Sequence, residues 1–417
     1  SRRSCSGRRA EIVAESGHVK AGAESLRAWL RDRIGAEGPI PFVEFMEAVL
    51  YHPRFGYYCR PGMTTGPEGD FYTSPDLHPA FGLLLSRQIA EIAARTRADV
   101  RSAFHVIEAG PGIGRLARDI IAGLAAEHAA LARRVVYTLV EISPSLREMQ
   151  RAAIAGGGAG VVQEVRWRSW ADLIEERSVS FSGCVVANEF LDALPVHIVE
   201  RRGGRLMEVH VIAGDDGFGE TLLALTTGRL ESPLARLGVE MEEGQRAEIG
   251  LRALDWVSSL GRLFGERGSG GAIIIDYGYP AKELYGPERR RGTLMCYRRH
   301  QAIEDPYLHV GEQDMTVHVN LTSIERRARE SGFDVAGPAS QMRFLVSLGL
   351  AQILADLAED PSTGARSVKE RLALHGLMAP GGMGEIFKVM LLARGAPAAD
   401  LTGARDPFRM DPGRPSR

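Results

Sequence analysis

The residues best placed to do chemistry cluster around a glycine run. In Val106-Ile107-Glu108-Ala109-Gly110-Pro111-Gly112-Ile113-Gly114, three glycines stand at alternate positions and a carboxylate lies two residues before the first. Apolar residues from Phe104 to Ile107 precede the run and a helix-like segment, 116–126, follows, so the stretch reads as strand, tight loop and helix. Glycine allows positive φ and close approach of a ligand, and the free N–H groups that open a helix favour negative or polar groups. The loop is therefore of the nucleotide-binding type. Two more polar groups belong with it: Glu141 ends the next apolar run, and Asn188-Glu189-Phe190-Leu191-Asp192 follows directly on Cys184-Val185-Val186-Ala187.

Gly112-Ile113-Gly114-Arg115-Leu116-Ala117 also satisfies the dinucleotide fingerprint, so a nicotinamide-dependent oxidoreductase stands as an alternative. The flanking acids favour S-adenosylmethionine. Glu108 can hold an ammonium group, directly or through water, whereas it repels a passing pyrophosphate. Glu141 is placed to accept from ribose hydroxyls, a role common to both cofactors. Ligands of α/β sheets sit outside the carboxyl ends of the strands, so Asn188 and Glu189 face the same crevice as the glycines. They can orient an amine or guanidine by its protons and leave the attacking nitrogen free. Glu189 and Asp192 are three apart and on a helical turn would share a face, gripping a guanidinium together; the bland alternatives are helix capping by Asn188 and a solvated Asp192. His318, after Glu312 and Asp314, is a candidate proton acceptor or a hydrogen-bonded structural residue. Trp170 lies against adenine or packs in the core.

These groups need a scaffold, and the pattern supplies one. From residue 104 apolar runs alternate with helical periodicity, the mark of a parallel sheet with helices on both faces, closing with the run Ile386 to Leu392. Before it come two helices, 25–34 and 41–50, then a long aromatic, Gly- and Pro-punctuated loop from Tyr51 to Pro75 that reads as a lid, and a helix from Pro79 to Ala94. A hairpin is expected where Val196–Glu200 and Leu206–Ile212 flank Arg202-Gly203-Gly204. Single helices are expected at 344–357 and 368–375. The resulting organisation is a disordered tail (1–22), N-terminal helices and lid (23–100), a core (101–394) with insertions at about 196–245 and 278–320, and a second disordered tail (395–417).

Composition narrows the function classes. A net charge of -2 provides no global attraction to nucleic acid or an anionic membrane, and no apolar run approaches a bilayer span, so neither nucleic-acid binding nor membrane insertion is expected. The four cysteines are dispersed, without a C-x-x-C pair or zinc-ligand spacing, which points to a reducing compartment and no metal. Arg2, Arg3, Arg8 and Arg9 faintly suggest a transit peptide, but Glu11 and Glu15 follow at once. The expected location is a bacterial cytoplasm, or the mitochondrial matrix if the source is eukaryotic. A homodimer is compatible with this reading.

Four motifs in order, Gly-Asp-Phe-Tyr-Thr-Ser-Pro (69–75), Glu-Ala-Gly-Pro-Gly-Ile-Gly (108–114), Asn-Glu-Phe-Leu-Asp-Ala-Leu-Pro (188–195) and Gly-Glu-Gln-Asp-Met-Thr-Val-His-Val (311–319), resemble the MidA family of class I methyltransferases over residues 39–388. The resemblance implies an α/β, Rossmann-like, seven-stranded and mostly parallel sheet with an N-terminal helical region and inserted segments. It also implies S-adenosyl-L-methionine as donor and symmetric dimethylation of an arginine on a respiratory complex I subunit, a protein substrate. Carried over position by position, Glu108, Gly110, Gly112, Gly114 and Glu141 match the cofactor loop, Asp70, Phe71 and Thr73 match a loop folded over the cofactor, and Asn188 and Glu189 match the site after the fourth strand. Departures are Pro75-Asp76 where Pro-Glu is common, and His318-Val319-Asn320 where His-Val-Asp is frequent. The loss of a carboxylate at 320 leaves room for a cofactor-binding assembly chaperone with little activity.

Overall fold

A computed structural model describes residues 21–60, 73–95, 102–156, 159–176, 181–359, 364–379 and 381–409. Its centre is a sheet whose main path has seven strands, β1 (Phe104–Ala109), β2 (Val135–Val140), β3 (Glu164–Arg168), β4 (Ser182–Asn188), β5 (Ser269–Tyr279), β6 (Asp334–Ser340) and β7 (Phe387–Arg394), with the two-residue strand Val319–Asn320 as an eighth, parallel to the end of β5. They lie in the order β6-β7-β5-β4-β1-β2-β3. Neighbours run parallel, except that β7 is antiparallel to both β5 and β6. The expected α/β, mostly parallel, seven-stranded class I architecture is therefore present. Strand order reverses at β1, which has β2 on one side and β4 on the other, and such a switch point opens a crevice beyond the strands' carboxyl ends.

Both faces of this sheet are buried, which explains why β2 is the near-continuous apolar run Val-Val-Tyr-Thr-Leu-Val. Phe104 and Val106 face one core with Phe81 and Leu84 of the helix Ala80–Arg95 and Ile120 and Leu124 of the helix Arg115–Glu127. Ile107 and Ala109 alternate to the other face, against Val257 and Leu260 of the helix Leu251–Phe264. This alternation delivers Glu108 at the crevice end of β1.

Several expectations are extended or corrected. The helix of residues 21–37 and the helix Phe42–Tyr51 open the described chain. The expected hairpin is present as His197–Arg202 and Arg205–Gly214, turning at Gly203 (φ 60°) and Gly204 (φ 75°), but it belongs to a five-stranded antiparallel sheet with Gly217–Leu223, Arg246–Ile249 and Ile40–Pro41. Phe42 and Phe45 pack on this second sheet through Val209 and Val211. The single helix expected at 344–357 is two, Gln341–Ser347 and Leu350–Glu359, bent by 68° at Gly349, whose φ of 106° no helix tolerates. Among the described residues no single helix is long and apolar enough to cross a membrane; that bent pair reaches the length and hydropathy only when its halves are taken together.

The C-terminal tail starts later than expected. Residues 398–404 are packed rather than loose: Ala398 is 0% and Leu401 1% exposed, and the backbone N–H groups of Thr402 and Gly403 donate to Glu91 and Gln88 of the helix Ala80–Arg95. Glycine and proline content signals absence of helix or strand, not absence of docking, and two apolar anchors suffice here.

Candidate active site

The glycine loop leaves β1 with Gly110, Gly112 and Gly114 all at positive φ (66°, 51° and 87°). A Cβ at Gly110 would lie 2.9 Å from Phe190, and one at Gly114 2.9 Å from the Gln150 backbone, so those two glycines permit close packing. Gly112 differs, because a Cβ there would meet nothing within 4 Å. Its open side is a cradle that a ligand, or a side chain, would fill.

Beneath the loop Glu108 is 2% exposed and accepts the Tyr137 hydroxyl at 2.6 Å. Burial pushes its carboxyl up to about 7, partly offset by that hydrogen bond. At the end of β2 Glu141 accepts from Ser143 N–H (2.8 Å) and from Gln150 Nε2 (3.1 Å). The same Gln150 amide donates to the Gly112 carbonyl at 2.7 Å, and its oxygen accepts Trp167 Nε1–H at 2.8 Å. Gln150 thus ties the glycine loop to the ends of β2 and β3. It was missed in the sequence, where its one signal is a polar residue on the apolar stripe Leu146-Gln150-Ile154 of the helix Pro144–Ala155. Ile142, beside Glu141, is 54% exposed.

Trp170 is held by packing. Its ring lies against Trp256 with centroids 5.3 Å apart, and its N–H donates to Ser259 Oγ at 2.7 Å. These are contacts of the kind the core alternative describes, made by a half-buried ring at the end of β3.

The segment closing over the loop is described from Thr73; Asp70 and Phe71 lie outside the described residues. Thr73 and Asp76 form a capping box on the short helix Ser74–Leu77, and Asp76 pairs with Arg115, the first residue after Gly114. The departure Pro75-Asp76 therefore places its acid in a clamp between lid and loop. Ser74 N–H donates to Glu189 Oε1 at 3.3 Å, and Ser74 Oγ to Gln341 at 3.0 Å.

Asn188, Glu189 and Asp192 come together, though not through a helix. No helix follows β4, so Asn188 caps none; the chain turns instead, with Glu189 at φ 51°, a left-handed conformation rare for a side-chain-bearing residue. Glu189 N–H donates to the Ile275 carbonyl at 2.8 Å, and Asn188 Nδ2 to Glu189 Oε1 at 3.1 Å. Asp192 is 4% exposed, which corrects the solvated alternative. The turn is braced by Asp276 of β5, absent from the candidates drawn from sequence: its Oδ2 accepts the N–H groups of Leu191 (2.8 Å) and Asp192 (3.3 Å). Tyr277 hydrogen-bonds the Asp192 carboxylate. Among the described residues Asn188 Oδ1 and Asp192 Oδ1 are buried without a partner. Burial, reinforced by the neighbouring Asp192, raises Glu189 to about 8; burial raises Asp192 to about 6; and Asp276 is pushed well above the carboxylate range by burial and by Asp192.

His318 stands one layer away. Its ring is wedged between Tyr277 and Tyr279, at 5.2 and 5.1 Å, and burial followed by Arg289 lowers it to about 4, so it is neutral. Its contact with the carboxylates runs through Tyr277. Asn320 caps the helix Leu321–Glu330 by accepting Ser323 N–H at 3.0 Å and donates to Tyr285 at 3.1 Å, so that departure serves the fold and not the carboxylate recess. Tyr51, which donates to the Ala193 carbonyl at 2.9 Å, and Tyr58, which donates to Asp314 at 2.7 Å, stack at 5.4 Å beside the turn. Both were missed in a loop read only as a lid. Among the described residues no group of three or more His, Cys, Asp and Glu is disposed to hold a metal ion.

Comparison with known proteins meets this geometry from outside. Residues 84–339 match the family described as S-adenosyl-L-methionine-dependent methyltransferase. A mitochondrial protein arginine methyltransferase NDUFAF7 homolog from Drosophila melanogaster is 30% identical over 94% of this chain and 89% of its own length, and the Danio rerio protein arginine methyltransferase NDUFAF7 is 29% identical over 88% and 86%. A crystal structure from Burkholderia thailandensis bound to S-adenosyl-homocysteine superposes with a TM-score of 0.81 at 33% identity, covering 93% of this chain and 96% of that one. The oxidoreductase alternative gains nothing from these matches. The chain belongs to the S-adenosyl-L-methionine-dependent methyltransferase family, and S-adenosylmethionine is its cofactor.

Proposed function

We propose that this chain methylates a guanidinium nitrogen of arginine in a protein substrate. The observation that carries the reading is the recess of Glu189, Asp192 and Asp276, in which none of the three carboxylates has an arginine or lysine among its hydrogen-bond partners in the described residues. Buried carboxylates without cations are costly, and a planar, delocalised guanidinium offers paired N–H donors to such a set. Two relatives bearing the name protein arginine methyltransferase support the acceptor, and the resemblance supports a respiratory-chain subunit as the substrate class. Their mitochondrial location is the one proposed here for a eukaryotic source.

The residues present fit the donor. Gly112 presents open space, Glu141 and Ile142 offer a carboxylate and an apolar edge for ribose and adenine, and Asn188 Oδ1 is a free acceptor beside them. When bound, S-adenosylmethionine supplies an electrophilic methyl group on a sulfonium. Glu189 and Asp192 hold the acceptor by its protons so that one nitrogen lone pair faces that methyl, and Glu189 takes the proton the nitrogen loses. Thr73 and Ser74 close the crevice and exclude water. His318 keeps Tyr277 directed at Asp192.

The test is labelled methyl transfer from S-adenosylmethionine into an extract by the purified chain, with the modified residue located by mass spectrometry. Label on arginine is expected, and its loss in Glu189→Gln with unchanged affinity for S-adenosylhomocysteine. An extract left unlabelled would favour the chaperone reading, and label on lysine would overturn the acceptor.

A further inference from the structure

Asp276 sits where its charge matters as much as its hydrogen bonds. It is 1% exposed, in the interior register of β5 opposite Lys388 of β7, and one oxygen receives two backbone N–H groups of the turn while the other receives Tyr277 N–H at 2.9 Å. Asp192 lies directly on it, keeping Oδ1 unpartnered among the described residues. Glu189 completes the trio from the same turn.

The groups facing the trio are few. The turn supplies Asn188; the lid supplies Ser74 N–H and Asp76, whose charge is met by Arg115. The N-terminal helix supplies Tyr51, the late insertion supplies Asp314 with its partner Tyr58, and β5 supplies Tyr277, backed by the neutral His318. Two cations stand near: Arg115, committed to Asp76, and Lys388 of β7, in register with Asp276, whose ammonium donates to the Glu385 carbonyl; the rest of this surrounding is acidic or neutral. Carboxylates so close in a low-dielectric interior do not all ionise together; they titrate as a set.

Resting on the arginine reading above, we propose that Asp276 makes acceptor binding proton-coupled: the empty trio Glu189, Asp192 and Asp276 holds a shared proton, which leaves for solvent when a guanidinium cation enters. Charge is conserved in the exchange, one positive charge replacing another. In the transfer the N–C bond forms as the C–S bond breaks, the electron pair passing to sulfur, and the nitrogen's displaced proton returns to the trio. The product guanidinium is still a cation, and the returned proton weakens the site's hold on it. The raised positions of all three acids agree with this cycle.

The experiment is isothermal titration of the full chain, saturated with S-adenosylhomocysteine, with ethylguanidinium chloride in phosphate and in Tris. A binding enthalpy that differs between buffers by close to one released proton is expected at pH 7, with affinity increasing about tenfold for each unit by which pH is raised toward neutrality. In Asp276→Asn the amide oxygen can still accept the turn's N–H groups, but the charge is gone. Glu189 and Asp192 then ionise without a guest, and the pH dependence of affinity flattens to under about threefold per unit. Unchanged affinity for S-adenosylhomocysteine certifies the variant's fold; if it fails, Glu189→Gln carries the same expectation. Guanidinium binding with no buffer dependence, an undiminished proton count in the variant, or no binding of any cation overturns the proposal. If butylammonium binds with proton release where ethylguanidinium does not, the arginine reading fails and the proton coupling stands.

Discussion

Gln150 Nε2 lies 3.1 Å from Glu141 Oε2, a buried amide on a carboxylate at the end of β2. Because the same amide holds the Gly112 carbonyl and its oxygen takes the Trp167 N–H, one side chain sets both the loop and the acid. Gln150→Leu keeps the volume and strands a carbonyl, an indole N–H and one carboxylate oxygen. Each orphaned group costs about 1–3 kcal/mol. Affinity for S-adenosylhomocysteine should fall at least about tenfold in calorimetric titration, with a lower melting temperature, since about 1.4 kcal/mol is a factor of ten. Unchanged affinity would mean that Glu141 and Gly112 do not depend on this bridge.

Gly112→Val tests the cradle itself. Valine at φ 51° is strained, and its side chain would project into space that is open within 4 Å. The expected result is loss of measurable cofactor binding with the sheet intact by circular dichroism. Retained affinity would move the cofactor elsewhere.

How much of this was legible beforehand depends on the kind of residue. Glycines at strict spacing, and acids at the ends of apolar runs, announce Gly110, Gly112, Gly114, Glu108, Glu141 and Glu189 because backbone geometry and strand ends are local properties. Gln150, Asp276 and Tyr51 are not legible in the same way. Asp276 terminates an apolar run as any solvated acid might, and only the parallel pairing of β5 with β4 brings it under Leu191 and Asp192. The turn at Glu189 likewise defeats a helical reading, because a left-handed residue imposed by tertiary hydrogen bonds leaves no trace in periodicity.

The pH dependence follows from Glu189, held up at about 8 by burial and then by Asp192. Its folded value lies above the ordinary carboxylate value, so the folded state favours the protonated form. The associated stability is complete below the unfolded value, near about 4.3, and is lost as pH rises through about 8. Asp192, at about 6, and Glu108, at about 7, act with the same sign. The melting temperature without ligand should therefore decline from pH 5 to pH 9, less steeply in Glu189→Gln. Methyl transfer should move oppositely, rising toward alkaline pH as Glu189 ionises. A melting temperature that increases across this range would remove the buried-acid account.

The last fifteen described residues offer a stability test away from the site. Leu401 is 1% exposed, and the turn that carries it is fastened to Glu91 and Gln88, with Gly403 tight against Phe344. That position links the helix Ala80–Arg95, which packs on the loop-following helix Arg115–Glu127, to the bent helices after β6. Leu401→Ala opens a cavity in this contact and should cost about 2–4 kcal/mol, read as a lower urea midpoint at constant slope. Affinity for S-adenosylhomocysteine should stay within about twofold, because no cofactor-side group touches Leu401 and distant sites add independently. A negligible change in midpoint would return these residues to the loose tail that their composition suggests.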